Sequence, residues 1–482
     1  MSLFATKPLS RILAESEGEH TLRRTLGPVQ LVALGIGAII GAGLFSLTGI
    51  AAAQHAGPAV TLAFAMAAVG CAFAGLCYSE FSTMIPIAGS AYTYSYATMG
   101  ELLAWIIGWD LVLEYAVGAA TVAVSWSGYV ASLCKDFGVI LPAQLIASPW
   151  QQVTLADGST GYGLINLPAI FVVVGISFVL MMGIQESARA NAVVVVLKVL
   201  VVILFIIFGW AYINPANYVP YIPPSQGPGV FGWSGVVRAA GIVFFAFIGF
   251  DAVSTAAQET KNPQRDMPIG IIGSLVVCTI LYVLFAHVLT GIVKYSELGN
   301  AAPVATAIDR TGLAWLKTAI KVAIIAGYTS VVLVMLLGQS RVFYSMSRDG
   351  LLPKVFSDIH PKWRTPYRSN LVFMVFVGLF AAFAPIQLVG EMTSIGTFFA
   401  FVLVCAGIIV MRKTHPDLPR PFRTPFVPIV PILGIAVNLF LMAGLGLENW
   451  IRLIVWLAIG LCIYFGYSRN NSLLYRSTLT KR

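Results

Sequence analysis

Long apolar stretches separated by short polar ones run through this chain from about residue 27 to about residue 467, and their lengths are the first structural signal. A helix rises about 1.5 Å per residue, so crossing the hydrocarbon of a bilayer takes roughly 20 apolar residues. Twelve segments meet that requirement and predict helices at approximately Gly27–Ala52, Pro58–Thr83, Met99–Ser132, Ile165–Ile184, Ala188–Ala211, Gly235–Gln258, Pro268–Val293, Lys317–Ser345, Asn370–Phe383, Leu388–Met411, Pro425–Leu445 and Asn449–Tyr467. The ninth is short and the third long, so their tilts must differ. The pattern predicts an all-α integral membrane protein of 12 transmembrane helices, with residues 1–26 and 468–482 as polar end segments.

Two of the segments are interrupted by glycine in the same way. Segment 1 contains Gly35-Ile-Gly-Ala-Ile-Ile-Gly-Ala-Gly43 and segment 6 contains Gly241-Ile-Val-Phe-Phe-Ala-Phe-Ile-Gly249. Spacings such as Gly37-xxx-Gly41 commonly serve close helix packing, but a matched pair five segments apart points to broken helices at corresponding places. An odd number of helices per repeat turns the second copy upside down, so segments 1–5 (about 27–211) and 6–10 (about 235–411) are expected to be inverted repeats, with segments 11 and 12 (about 425–467) outside them. Unwound backbone within a membrane must line protein or a water-filled cavity. At the break in segment 1 the N–H groups of Ala42 and Gly43 open the second half-helix, a positive end suited to a carboxylate. The carbonyls of Ile39, Phe245, Ala246 and Ile248 are placed to receive an ammonium, and the Phe245 ring to cover a bound molecule.

Composition agrees with lipid as the solvent: 58% of 482 residues are hydrophobic and 10% charged, and the mean hydropathy is +0.86. The net charge of +9 is less informative than where the charges fall. With the amino terminus inside, 21 Lys and Arg lie in the cytoplasmic loops and ends against five outside (Lys135, Lys294, Arg310, Lys317, Arg452), which predicts both termini cytoplasmic in a plasma membrane protein. The first 27 residues carry mixed charges and no compact apolar core of the kind a secretory signal needs. The six cysteines show no CxxC or metal-ligand spacing and read as small hydrophobes. Absent too are GxSxG, HExxH and P-loop patterns, which argues against an enzyme.

Ionisable residues inside the spans are then the candidates for function. Lys198 stands about ten residues into segment 5, close to midplane and too deep to reach an interface. Glu114 and Asp110 lie one turn apart in segment 3 and share a face; Glu114 is either a counter-ion for a cationic substrate, a member of a proton network, or a structural hydrogen-bonding group. Asp251 and Glu80 read as structural or inner-gate residues and His287 as a possible relay, while Lys321, one turn from Lys317, is expected to extend to the interface.

The series Gly35–Phe45, Pro86-Ile-Ala-Gly-Ser-Ala-Tyr-Thr-Tyr94, Gly108-Trp-Asp-Leu-Val-Leu-Glu-Tyr115, Phe244–Asp251, Gln258-Glu-Thr-Lys-Asn-Pro-Gln-Arg-Asp266, Gly338-Gln-Ser-Arg-Val-Phe343, Ser347–Pro353 and Arg420-Pro-Phe-Arg-Thr-Pro425 resembles the amino acid–polyamine–organocation transporters, in particular the bacterial form of their cationic amino acid transporter branch. The resemblance spans nearly the whole chain. It implies a LeuT-like 5+5 inverted repeat with discontinuous helices 1 and 6, alternating access, and substrate held between the two breaks. It further implies that the ammonium of Lys198 takes the place a sodium ion occupies in sodium-coupled relatives, beside the carbonyls of Gly37 and Ile40 and, in segment 8, Ala326, Thr329 and Ser330. Relatives commonly carry threonine where this chain has Ala42, so a hydroxyl is lost there. The implied function is proton-coupled uptake of cationic or small neutral L-amino acids, with no cofactor beyond the proton gradient. The alternatives are an amino-acid exchanger on the same fold, or a channel or sensor.

Overall fold

A computed structural model describes residues 5–8, 26–85, 90–183, 188–255, 260–474 and 476. Parts of the sequence motifs, residues 86–89 and 258–259, lie outside the described residues, as do most of the amino-terminal segment and the end of the tail. The helices are α1 (Pro28–Ile39), α2 (residues 43–56), α3 (Val60–Met84), α4 (Ser90–Thr98), α5 (Glu101–Asp136), α6 (Leu167–Met181), α7 (Ala188–Trp210), α8 (Gly232–Phe247), α9 (Ala252–Thr255), α10 (Pro263–Ile292), α11 (Pro303–Thr311), α12 (Ala314–Arg348), α13 (Tyr367–Phe383), α14 (Ile386–Thr414), α15 (Ile429–Gly444) and α16 (Leu447–Asn471). One small hairpin, β1 (Gln152–Thr154) against β2 (Thr160–Tyr162), is the only sheet among the described residues. Seven of the described helical stretches are long and apolar enough to cross a membrane, and five apolar helices are shorter. The protein is thus an all-α, multi-pass membrane protein.

The expected helices are found within a few residues of their sequence positions, with four differences, the first being α4, which lies in a stretch that read as connection. Segments 1 and 2 are joined without a loop, because the helical path from Gly43 to Met84 turns only at Gly57, whose φ of +59° precedes Pro58. The helix α11 and the β1–β2 hairpin lie in connections that read as loop, the first announced only by Pro303 at its first position. Prolines likewise open α1 and α10 at Pro28 and Pro263, and Asn166 caps α6 by accepting from the Ala169 N–H at 3.2 Å.

Lipid-facing and interior faces separate at helical period. On α7, Val193, Val196, Leu200, Ile203 and Ile207 are exposed, while Val195, Lys198, Val202 and Phe205 are buried on the opposite side. Small residues set the close contacts. The antiparallel pair α5 and α12 meets with Gly118 against Met335, Gly338 against Tyr115 and Gly108 against Met346. The last helix is fastened to α5 by indole donors: Trp105 Nε1 to Gly460 O (2.9 Å), Trp109 Nε1 to Trp456 O (2.8 Å) and Trp456 Nε1 to Trp109 O (3.2 Å). Residues 5–7 and Ser472, near the two ends of the chain, meet at the start of α5. There the Glu101 N–H donates to Ala5 O, Ser472 Oγ donates to the Glu101 carboxylate, and Lys7 Nζ lies 2.9 Å from Asp349 Oδ1.

Candidate functional site

The chain leaves helical conformation at Ile40, where ψ is 111°, and resumes it in α2. Farther along the chain, α8 tightens into a turn of 3-10 helix at Phe244–Phe247, then extends at Ile248 (ψ 133°) and at Gly249 with φ +114°. Only glycine takes that φ without strain. The two breaks pack directly on each other: a β-carbon on Gly43 would sit 2.2 Å from Ala246 Cα, and one on Gly249 would sit 2.7 Å from Ala38 O.

Helix ends inside an apolar interior leave backbone groups that something must satisfy. At the end of α1, the Ile40 N–H donates to Ile36 O at 2.9 Å and the Lys198 ammonium donates to Gly37 O at 2.9 Å. Lys198 is 3% exposed, so α7 supplies a buried cation to the negative end of α1. At the other break Tyr282 of α10 donates its hydroxyl to Ala246 O at 2.9 Å, and Phe245 O accepts the Ile248 N–H at 3.2 Å. Of the four carbonyls expected to receive an ammonium, those of Phe245 and Ala246 are therefore already engaged. Those of Ile39 and Ile248 meet no hydrogen-bond donor among the described residues. The N–H groups of Ala42 and Gly43 are buried and likewise meet no acceptor among the described residues. Two donors and two acceptors are thus left over at touching breaks.

Aromatic and hydroxyl side chains pack around the start of α2. Phe45 meets Phe285 edge-on at 5.7 Å and Tyr328 at 6.2 Å, and Phe205 lies 4.6 Å from Phe285. The Tyr129 hydroxyl donates to Phe45 O at 2.5 Å, and Ser46 Oγ reaches Ala301 O at 2.7 Å and Tyr328 at 2.9 Å. Phe245 is 3% exposed, but the stacked aromatic on α14 is its neighbour Phe244, whose ring lies 3.7 Å from that of Phe398.

The other candidates divide. Around Lys198, Gly327 of α12 lies against the lysine stem, where a β-carbon would be 3.0 Å from Cε; Ser330 is buried and Ala326 half-buried nearby on the same helix. Thr329 points elsewhere, its hydroxyl donating to Ile325 O at 2.9 Å and accepting from Trp126 Nε1 at 3.0 Å. Glu114 and Asp110 are each 1% exposed. The Glu114 carboxyl faces Asp251 and Thr397, while Asp110 Oδ1 lies close to Gly396. Glu80 is fully buried and holds Arg412 bidentately at 3.0 and 2.8 Å, together with the Thr424 N–H at 2.7 Å and Arg420 at 3.3 Å. His287 stacks on Tyr218 at 4.7 Å and faces Trp210 at 5.6 Å. Trp210 lies twelve residues past Lys198 on α7, about 18 Å along the helix, so His287 is no partner of that lysine. Lys321 is 0% exposed and paired with Asp136 (2.7 Å) and Asp309 (3.0 Å). Asp136 ends α5, and the same two carboxylates also hold Lys317.

The sequence reading missed Tyr282, Tyr129 and Gly327. Each sits in an apolar span where a lone tyrosine or glycine has no pattern to mark it; only the pairing of broken helices reveals which carbonyls need a hydroxyl.

A family profile described as amino acid permease matches residues 26–465 of this chain. The chain belongs to that family. The permease is 46% identical over 98% of its length to a branched-chain amino acid permease of Bacillus subtilis (strain 168), covering 99% of that protein. It is 42% identical over 98% of its length to a methylthioribose transporter of the same organism, covering 99% of it. It is 30% identical over 96% of its length to the vacuolar cationic amino acid transporter 4 of Arabidopsis thaliana, covering 94% of that protein. Family and relatives alike are permeases and transporters, not enzymes.

Proposed function

We propose that this permease imports L-amino acids across a bacterial plasma membrane by alternating access, coupled to protons. The architecture that goes with this reading is a twelve-span, LeuT-like bundle in which residues 28–210 and 232–414 are inverted repeats and α15 and α16 lie outside them. It is supported by two interruptions at matching places, one in α1–α2 and one in α8–α9. The excess of Lys and Arg in the loops at the end that carries both termini supports a cytoplasmic location for that end.

One observation carries the substrate assignment: the buried N–H groups of Ala42 and Gly43 have no acceptor among the described residues, directly across from Ala246. A substrate α-carboxylate fills that need, and its ammonium falls to the carbonyls of Ile39 and Ile248. No side-chain hydroxyl is required at position 42, so the alanine there is tolerated. A neutral aliphatic side chain on the substrate is in line with the branched-chain name of the 46% relative. Acceptance of Arg or Lys would depend on Glu114, whose carboxyl is turned to Asp251 and Thr397. Lys198 serves as the coupling group: its ammonium ties α1 to α7 beside α12, and loss of its proton to the cytoplasm frees the end of α1 to move. An obligate exchanger has no need of such a group.

A second reading, transport of a neutral thio-sugar, is favoured by the 42% relative named a methylthioribose transporter. Competition for uptake into proteoliposomes separates the two. Leucine, valine and alanine should compete, while their decarboxylated amines and methylthioribose should not. Equal competition by the amines refutes the carboxylate cradle, and competition by methylthioribose alone establishes the second reading.

A further inference from the structure

At the end of the bundle away from the termini, a chain of polar contacts links the far ends of both site-bearing elements to α14. His55, at the end of α2, is 5% exposed. Its Nδ1 lies 2.6 Å from Gly229 O, in the connection that leads into α8, and its Nε2 lies 3.3 Å from Gln387 Nε2 on α14. That same Gln387 amide nitrogen donates to Glu391 Oε1 at 3.0 Å. Arg238 of α8 approaches the same oxygen at 3.5 Å, while Asn449 Nδ2 of α16 donates to Oε2 at 2.7 Å and Arg452 stands 3.7 Å from it. Glu391 is 2% exposed.

The donor pattern fixes the state of the imidazole. A carbonyl only accepts, so Nδ1 carries a hydrogen; an amide nitrogen only donates, so Nε2 presents its lone pair. Protonating Nε2 sets two donors against each other. If Gln387 turns its amide to offer oxygen to the new N–H, that oxygen also faces the Glu391 carboxylate, and the Gln387–Glu391 bond is lost. If it does not turn, the His55–Gln387 contact is lost. The first course keeps α2 on α14 but sets the amide oxygen against the Glu391 carboxylate; the second keeps the Gln387–Glu391 bond, and in it one proton unhooks α2 from α14.

The charged and titratable groups around His55 are Arg238 on α8, Glu391 on α14 and, behind it, Arg452 and Glu448 on α16. The short helix Tyr295–Glu297 also packs beside α2, with Glu297 turned away to Arg310. Beyond the hydrogen bond to Glu391, the guanidinium of Arg238 leaves its buried Nε without an acceptor among the described residues, so the cluster holds together through Glu391 rather than through a closed set of pairs.

We propose that His55 is a second proton-binding site, distinct from Lys198, whose occupancy releases the α2–α14 contact and opens the permease on the face opposite its termini. For the statement that this face is external, the proposal rests on the orientation given above. An acidic exterior then loads the outward-open state from outside, while Lys198 discharges inside.

The test uses the full-length protein in proteoliposomes, with Cys134 and Cys462 replaced by serine and Leu298, which is 0% exposed beneath the same face, replaced by cysteine. Labelling by a membrane-impermeant maleimide is measured between about pH 8 and about pH 5.5 outside, at constant internal pH, and normalised to the rate of a small thiol at each pH. Labelling should rise several-fold as the exterior is acidified, and should become independent of pH in His55→Gln. Gln387→Met, which removes the amide that reads the imidazole, should give the same flat profile and serves if His55→Gln folds poorly. Flat labelling with His55 intact, or an undiminished rise in both variants, overturns the proposal. Lys198→Ala separates this from the transport reading, since it should lose gradient-driven accumulation and keep the pH-dependent labelling.

Discussion

A β-carbon on Gly43 would meet the backbone of Ala246 at 2.2–2.3 Å, and backbone on an interrupted helix has nowhere to retreat. Overpacking of this kind costs about 1–3 kcal/mol or more, and here it falls where the two breaks touch. Gly43→Val should therefore abolish substrate-induced thermal stabilisation while the protein still elutes as a monodisperse species on size exclusion; retained stabilisation by substrate would show that the cradle lies elsewhere. Residues differ in how plainly sequence exposes them. Lys198 is legible because it stands ten residues from the nearest end of its span, and nothing in lipid accounts for a cation there. Lys321 is not, because its partners Asp136 and Asp309 come from other elements and no local pattern announces a buried pair. Tyr282 is invisible for the same reason: its role is defined by a carbonyl on α8.

Among the elements, the breaks were foreseeable from glycine in two apolar spans, and Gly249 at φ +114° supplies the physical reason. The helix α11 was not, since its nine residues are too short to show against a polar connection. Contacts between distant elements are where the sequence is silent, and Glu80 is the clearest instance. It joins α3 to α14 and to the α14–α15 connection through Arg412, Arg420 and the Thr424 N–H. Removing one partner of a buried ion pair strands the other and costs about 3–5 kcal/mol, whereas replacing both with apolar side chains is often neutral. Glu80→Ala should thus lower the midpoint of thermal unfolding markedly, and the double variant Glu80→Met with Arg412→Met should recover most of the loss. Equal loss in the single and double variants would mean that the Thr424 and Arg420 contacts, not the Arg412 pair, hold α3 in place.

For the whole molecule, the proposed mechanism assigns two separate tasks: backbone at the α1–α2 and α8 breaks would hold the substrate, and the Lys198 ammonium, which donates to Gly37 O, would hold α1 against α7 until it loses its proton. If those are separate tasks, they separate by mutation. Proteoliposomes carrying an inward proton gradient should accumulate leucine above equilibrium when Lys198 is present. In Lys198→Ala, accumulation should vanish while leucine still stabilises the purified protein against heat. Undiminished gradient-driven accumulation in Lys198→Ala would contradict the account.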